Sequence, residues 1–99
     1  SAEQFLARGF LTQTGQEYDV VIRFDAYQAR WIRERRWHAT QSIEELPDGG
    51  LVLRFRSGGL DEIKRWVLTY GSHAEVLEPP ELRAAVVQEV GRMAEMYLE

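Results

Sequence analysis

The sequence predicts a single α+β domain: a four-stranded sheet, two helices lying between its strands, and a third helix at the end. Three observations carry this. Residues 18–24 and 51–56 alternate apolar and polar side chains, the period of a strand with one buried face. Residues 26–35, 60–70 and 81–97 repeat apolar positions every three or four residues, the period of an amphipathic helix. Gly- and Pro-rich breaks fall between these segments. A chain of 99 residues supports one modest core and not two domains.

The elements follow in order. In YDVVIRF, Val20, Ile22 and Phe24 share one face, and Asp19, Val21 and Arg23 the other. Asp25 is placed to cap the next helix, Ala26 to about Arg35, in which Ala29 and Ile32 face inward with Tyr27 and Trp31 beside them. Residues 40–46 form a more polar strand. Pro47-Asp48-Gly49-Gly50 is a turn, because Pro presets φ and Gly accepts φ > 0. In LVLRFR, Leu51, Leu53 and Phe55 point one way and Val52, Arg54 and Arg56 the other, completing a hairpin. The second helix, Leu60 to Tyr70, has the stripe Leu60, Ile63, Val67 and Tyr70, acidic residues at its start and Gly71 after its end. Ala74 to Leu77 is a short strand. Pro79-Pro80 then opens a helix to about Tyr97, with Leu82, Val86, Val90, Met93 and Tyr97 on one stripe.

This β-α-β-β-α-β order with an additional C-terminal helix is the split-βαβ, or ferredoxin-like, plan. Right-handed crossovers put the first and third strands in the middle, with both internal helices on one face. Residues 1–17 are expected to be a connector from a preceding domain, and 18–99 the folded domain.

Composition narrows the function classes. There is no cysteine, which excludes disulfides, thiolate nucleophiles and Cys-ligated zinc. Apolar runs reach about four residues, far short of the roughly 20 a spanning helix needs, so a soluble, cytoplasmic domain is expected with no membrane contact. The net charge of −4 opposes a uniformly basic surface. It hides a polarity: residues 30–38 hold four Arg and one Glu, whereas residues 75–99 hold six Glu and two Arg.

No phosphate-binding glycine loop, P-loop or nucleophile elbow is present. His38 and His73 lie far apart in sequence, and Glu44 and Glu45 face opposite sides of their strand. Neither an enzyme, a cofactor nor a metal site is expected. The densest candidate for ligand or nucleic-acid contact is Arg33, Arg35, Arg36, Trp37, His38 and Gln41, where guanidinium groups could clamp phosphate and indole could stack on a base. The alternative is structural, with cations offsetting the helix dipole and Trp37 plugging the core. A second candidate is the sheet face bearing Arg23, Arg54 and Arg56, which could instead pair with Asp19 and Glu44. Leu82, Val86, Val90, Met93 and Tyr97 are candidates for an interface, since an amphipathic helix is held mainly by packing.

Several motifs coincide in order: Phe-Asp-x-x-x-Ala-Arg-Trp from Phe24 to Trp31, Trp37-His38-x-x-Gln41, Asp48-Gly49-Gly50, Arg65-Trp66-x-Leu68-x-x-Gly71, and the run Glu75 to Leu82. Together they resemble the WCX domain, the C-terminal extension of bacterial WYL-domain transcriptional regulators, over about Phe5 to Tyr97. The resemblance implies a ferredoxin-like fold beside a winged helix-turn-helix and an Sm-like WYL barrel in the same chain. It further implies a homodimeric regulator and a role in the response to an effector, single-stranded DNA in some members. The sequence holds no Trp-Tyr-Leu tripeptide and no helix-turn-helix, so it resembles the extension alone. A stand-alone ferredoxin-like module binding a small metabolite is the alternative.

Overall fold

The computed structural model describes residues 15–98. Its elements are β1 (Tyr18–Phe24), α1 (Ala26–Ile32), β2 (Ser42–Glu45), β3 (Leu51–Ser57), α2 (Leu60–Leu68), a 3-10 turn (Gly71–His73), β4 (Ala74–Glu78) and α3 (Pro80–Tyr97). The architecture is α+β: four antiparallel strands in the order β2-β3-β1-β4, with three helices. β1 and β3 are central, as the crossover argument requires. Of the expected connector, residues 1–14 lie outside the described residues.

The alternation sets which face is buried. Val20, Ile22 and Phe24 of β1 and Leu51, Leu53 and Phe55 of β3 are in the core. They meet Ala29 and Ile32 of α1, Ile63 and Val67 of α2 and Leu82 of α3. Each fully buried aliphatic or aromatic chain of this kind contributes about 1.5–3 kcal/mol through removal from water. Phe24 is packed edge-on by Trp66 and Tyr70, with ring centroids 6.0 and 5.5 Å away, the arrangement that ring quadrupoles favour.

Two elements are shorter than the periodicity suggests. α1 stops at Ile32 instead of about Arg35. The N–H groups of Glu34 and Arg35 turn to the carbonyls three residues back, Trp31 and Ile32, which tightens and ends the helix. The chain has to turn there so that Trp37 can enter the core. β2 covers Ser42–Glu45 rather than 40–46. Thr40 and Gln41 are taken by the turn that precedes it, through bonds to His38 and Trp37.

Val52 also departs from the simple alternation. The register puts it on the outward face, between Arg23 and Glu44, yet it is buried. Both of its register neighbours there carry long side chains. No described helix packs on that outward face. α3 packs instead beside β4 and α2, where Leu82 closes the core and Glu89 reaches Lys64 at 3.7 Å.

Candidate functional site

The segment after α1 holds the first group of candidate residues, and the structure divides it. Trp37 is 7% exposed and His38 3%, so both belong to the interior. The Trp37 indole donates from Nε1 to the Ile32 carbonyl at 2.9 Å and packs against Trp66. His38 stacks on Phe55 with centroids 5.2 Å apart. The Gln41 amide oxygen accepts from the backbone N–H of both Trp37 and His38, which fixes the turn. This packing takes up most of the Trp37 ring, in keeping with the structural one of its two sequence readings.

His38 has a defined proton arrangement. Its Nδ1 accepts from the Thr40 backbone N–H at 3.1 Å, so the neutral ring carries its proton on Nε2. That Nε2 is buried and without a hydrogen-bond partner among the described residues. Burial pushes the imidazole below its ordinary value of 6.5, opposed by the charge of Glu17.

The arginines of the segment divide too. Arg33 forks onto Glu45, at 2.7 Å from Nη2 and 2.9 Å from Nε, and also donates to the Gly49 carbonyl. Each member of the pair favours the ionised form of the other, lowering the carboxyl and raising the guanidinium. Arg36 donates to the Ala39 carbonyl. Arg35 lies 5.7 Å from the centroid of the Trp37 ring, and among the described residues it has no carboxylate partner.

On α1 itself, the sequence places Tyr27 and Trp31 beside the buried stripe, with Trp31 a further indole on which a base could stack. They are 53% and 42% exposed and stand edge-to-face, centroids 5.0 Å apart and planes at 71°. The Arg30 guanidinium lies over Trp31 at 5.1 Å and Tyr27 at 5.8 Å. Their i, i+4 spacing on the side opposite Ala29 and Ile32 was the signal available for them.

The second candidate group is assembled as expected. Arg23, Arg54 and Arg56 share the outward sheet face, but each closes on a carboxylate. Arg54 meets Glu44 at 2.8 Å, Arg56 meets Asp19 at 2.7 Å, and Arg23 meets Asp48 at 3.5 Å.

The interface candidates grade outward along α3. Leu82 is buried, Val86 half-buried, and Val90, Met93 and Tyr97 exposed. An apolar groove of about 430 Å³ runs between α2 and α3, lined by Val67, Leu68, Val90, Met93 and Tyr97 among others.

His73, given no role by its sequence position, joins two elements. Its Nδ1 meets the Asp25 carboxylate at 2.7 Å and its ring lies on Tyr27 at 4.6 Å. Asp25 also accepts from the Gln28 N–H as the cap of α1. That backbone bond first, and His73 second, hold its carboxyl below the usual range.

Among the described residues no three His, Asp or Glu side chains gather in an arrangement that could hold a metal ion. Among them, too, no helix is long and apolar enough to cross a membrane. No curated protein matches the chain. The family model described as the WCX domain matches residues 16–94, nearly all of the folded part, and the chain belongs to that family.

Proposed function

We propose that this domain is the C-terminal regulatory and dimerisation module of a WYL-type helix-turn-helix transcriptional regulator, working in the cytoplasm and without catalysis. The observation that carries the reading is the WCX match over residues 16–94. The order β2-β3-β1-β4, read from its other edge, places β4, β1, β3 and β2 in sequence, which supports a ferredoxin-like assignment. The partners in this reading are the WYL and helix-turn-helix domains of the same chain and a second copy of the regulator. The effector is single-stranded nucleic acid, and the arginines around the end of α1 that no carboxylate occupies favour it.

The test uses the whole regulator. Its reading frame should encode a helix-turn-helix and a WYL barrel on the N-terminal side of this domain. Removing residues 15–98 should leave operator binding by the helix-turn-helix measurable while abolishing the change in operator affinity that effector produces. A reading frame with no DNA-binding domain, or a response unchanged by the deletion, overturns the proposal.

A further inference from the structure

We infer that the exposed flank of α1 is a stacking site for a phosphorylated nucleobase, with Trp31 as the platform and Arg35 as the phosphate contact. The inference deepens the nucleic-acid reading above and moves the stacking platform from the buried Trp37 to the exposed Trp31, keeping Arg35 of the sequence candidates.

The first argument is charge. Six of the described arginines, Arg23, Arg33, Arg54, Arg56, Arg65 and Arg83, close on carboxylates. Among the described residues Arg30, Arg35, Arg36 and Arg92 do not; Arg36 donates to the Ala39 carbonyl, and Arg30 and Arg35 contact aromatic rings. A guanidinium resting on a ring keeps its N–H fork free for an oxyanion. Two such groups lie within one turn-and-a-half of chain, in a protein that carries net charge −4.

The second argument is shape. Trp31 and Arg35 line one depression of about 280 Å³, with Gln28, Glu34 and Tyr70 around it. That volume is just below the roughly 300–1,000 Å³ typical of small-molecule sites, suited to one base with its sugar. A base laid on Trp31 would have the Gln28 amide and the Glu34 carboxylate near its edge, an acceptor-and-donor set that suits ring N–H and amino groups. Burial pushes the Tyr70 phenol upward, so it remains a neutral hydroxyl at the rim.

The third argument is energetic. Trp31 and Tyr27 leave aromatic surface in water, 42% and 53% exposed, and covering such surface is favourable. Base stacking is tolerant of sequence because every base presents a π-face. The same chemistry could arrive as a free nucleotide or as a unit of a single strand.

The experiment titrates the 99-residue chain with fluorescently labelled oligothymidylate and oligodeoxyadenylate, and separately with AMP and GMP, following tryptophan quenching and label anisotropy. The expected result is saturable binding that Trp31→Ala weakens about ten-fold or more, that Trp31→Phe largely restores, and that Arg35→Ala weakens with a shallower salt slope. Arg92→Ala, which removes the same charge from α3, should leave affinity unchanged. Circular dichroism confirms that each variant is folded. Strand binding that is indifferent to Trp31→Ala overturns this site while leaving the nucleic-acid reading standing. Nucleotide binding sensitive to Trp31 without strand binding supports the site and removes the strand as effector. No quenching by any probe at millimolar concentration overturns the site outright.

Discussion

Phe55 and Arg54 are neighbours in β3 with opposite surroundings, and their substitution separates the two faces of the sheet. Phe55 is in the core; Arg54 is half-exposed and tied to Glu44. Truncating Phe24 or Phe55 to Ala should lower the unfolding free energy by about 3–5 kcal/mol, as for other core aromatics. Arg54→Ala should stay within about 0.5 kcal/mol, because exposed ion pairs contribute little. A chemical denaturation series ranking Arg54→Ala above Phe55→Ala would overturn the facing.

His38 gives a pH signature. Its folded value lies below the ordinary 6.5, so the unfolded chain takes up a proton first as pH falls. Stability attributable to this group is whole above about pH 6.5 and is lost as pH falls through the folded-state value. His38→Phe keeps a ring on Phe55 and removes the titration. Denaturation midpoints at pH 5.5 and 7.5 should therefore differ less in the variant than in the wild type; an equal difference shows that His38 does not titrate on folding. The burial of Trp37 is one of its two readings in the sequence, as a plug of the core; that of His38 has no local trace, because it depends on how the chain turns after Ile32.

At the scale of elements, the turn between β2 and β3 was legible in outline and more specific in detail. Pro47-Asp48-Gly49-Gly50 signals a turn on composition alone, and Gly49 has φ +91°, the conformation that favours glycine. Gly50 serves differently. A Cβ there would lie 2.5 Å from the Phe24 carbonyl oxygen, while its N–H is held by the Asp48 carboxylate at 2.8 Å. The turn is thus pressed against the end of β1. Gly50→Ala should cost about 1–3 kcal/mol, the range for forcing atoms into a packed place, read as a drop in the denaturation midpoint. A midpoint within error of wild type would show that the turn can move away from β1.

The boundaries of α1 and β2 were less legible, as was the exposure of the aromatic flank. Helical period marks which residues face inward, and Ala29 and Ile32 were read correctly. It does not mark where the ladder closes or whether flanking rings are covered by a neighbouring element. Asp25 was legible as a cap from its type and position, whereas its bond to His73 joins residues 48 apart and has no local trace.

For the molecule as a whole, α3 is the part whose packing is unfinished. Its 18 residues span about 27 Å at 1.5 Å per residue. Leu82 and Val86 satisfy the near end against β4 and α2, while Val90, Met93 and Tyr97 leave apolar surface along an open groove. The sequence placed all five residues on one stripe. In the structure that stripe runs beside β4 and α2. An amphipathic helix draws its stability from packing of its apolar face, and two-fold pairing is the commonest way that soluble chains cover such a face. The expected outcome is a concentration-dependent dimer in sedimentation velocity. Met93→Glu with Tyr97→Glu should shift the boundary to monomer at the same concentration. Both residues are exposed in the single chain, so the pair should leave its thermal unfolding nearly unchanged. A wild-type chain that stays monomeric at the highest concentration reached would show that this groove does not join two copies.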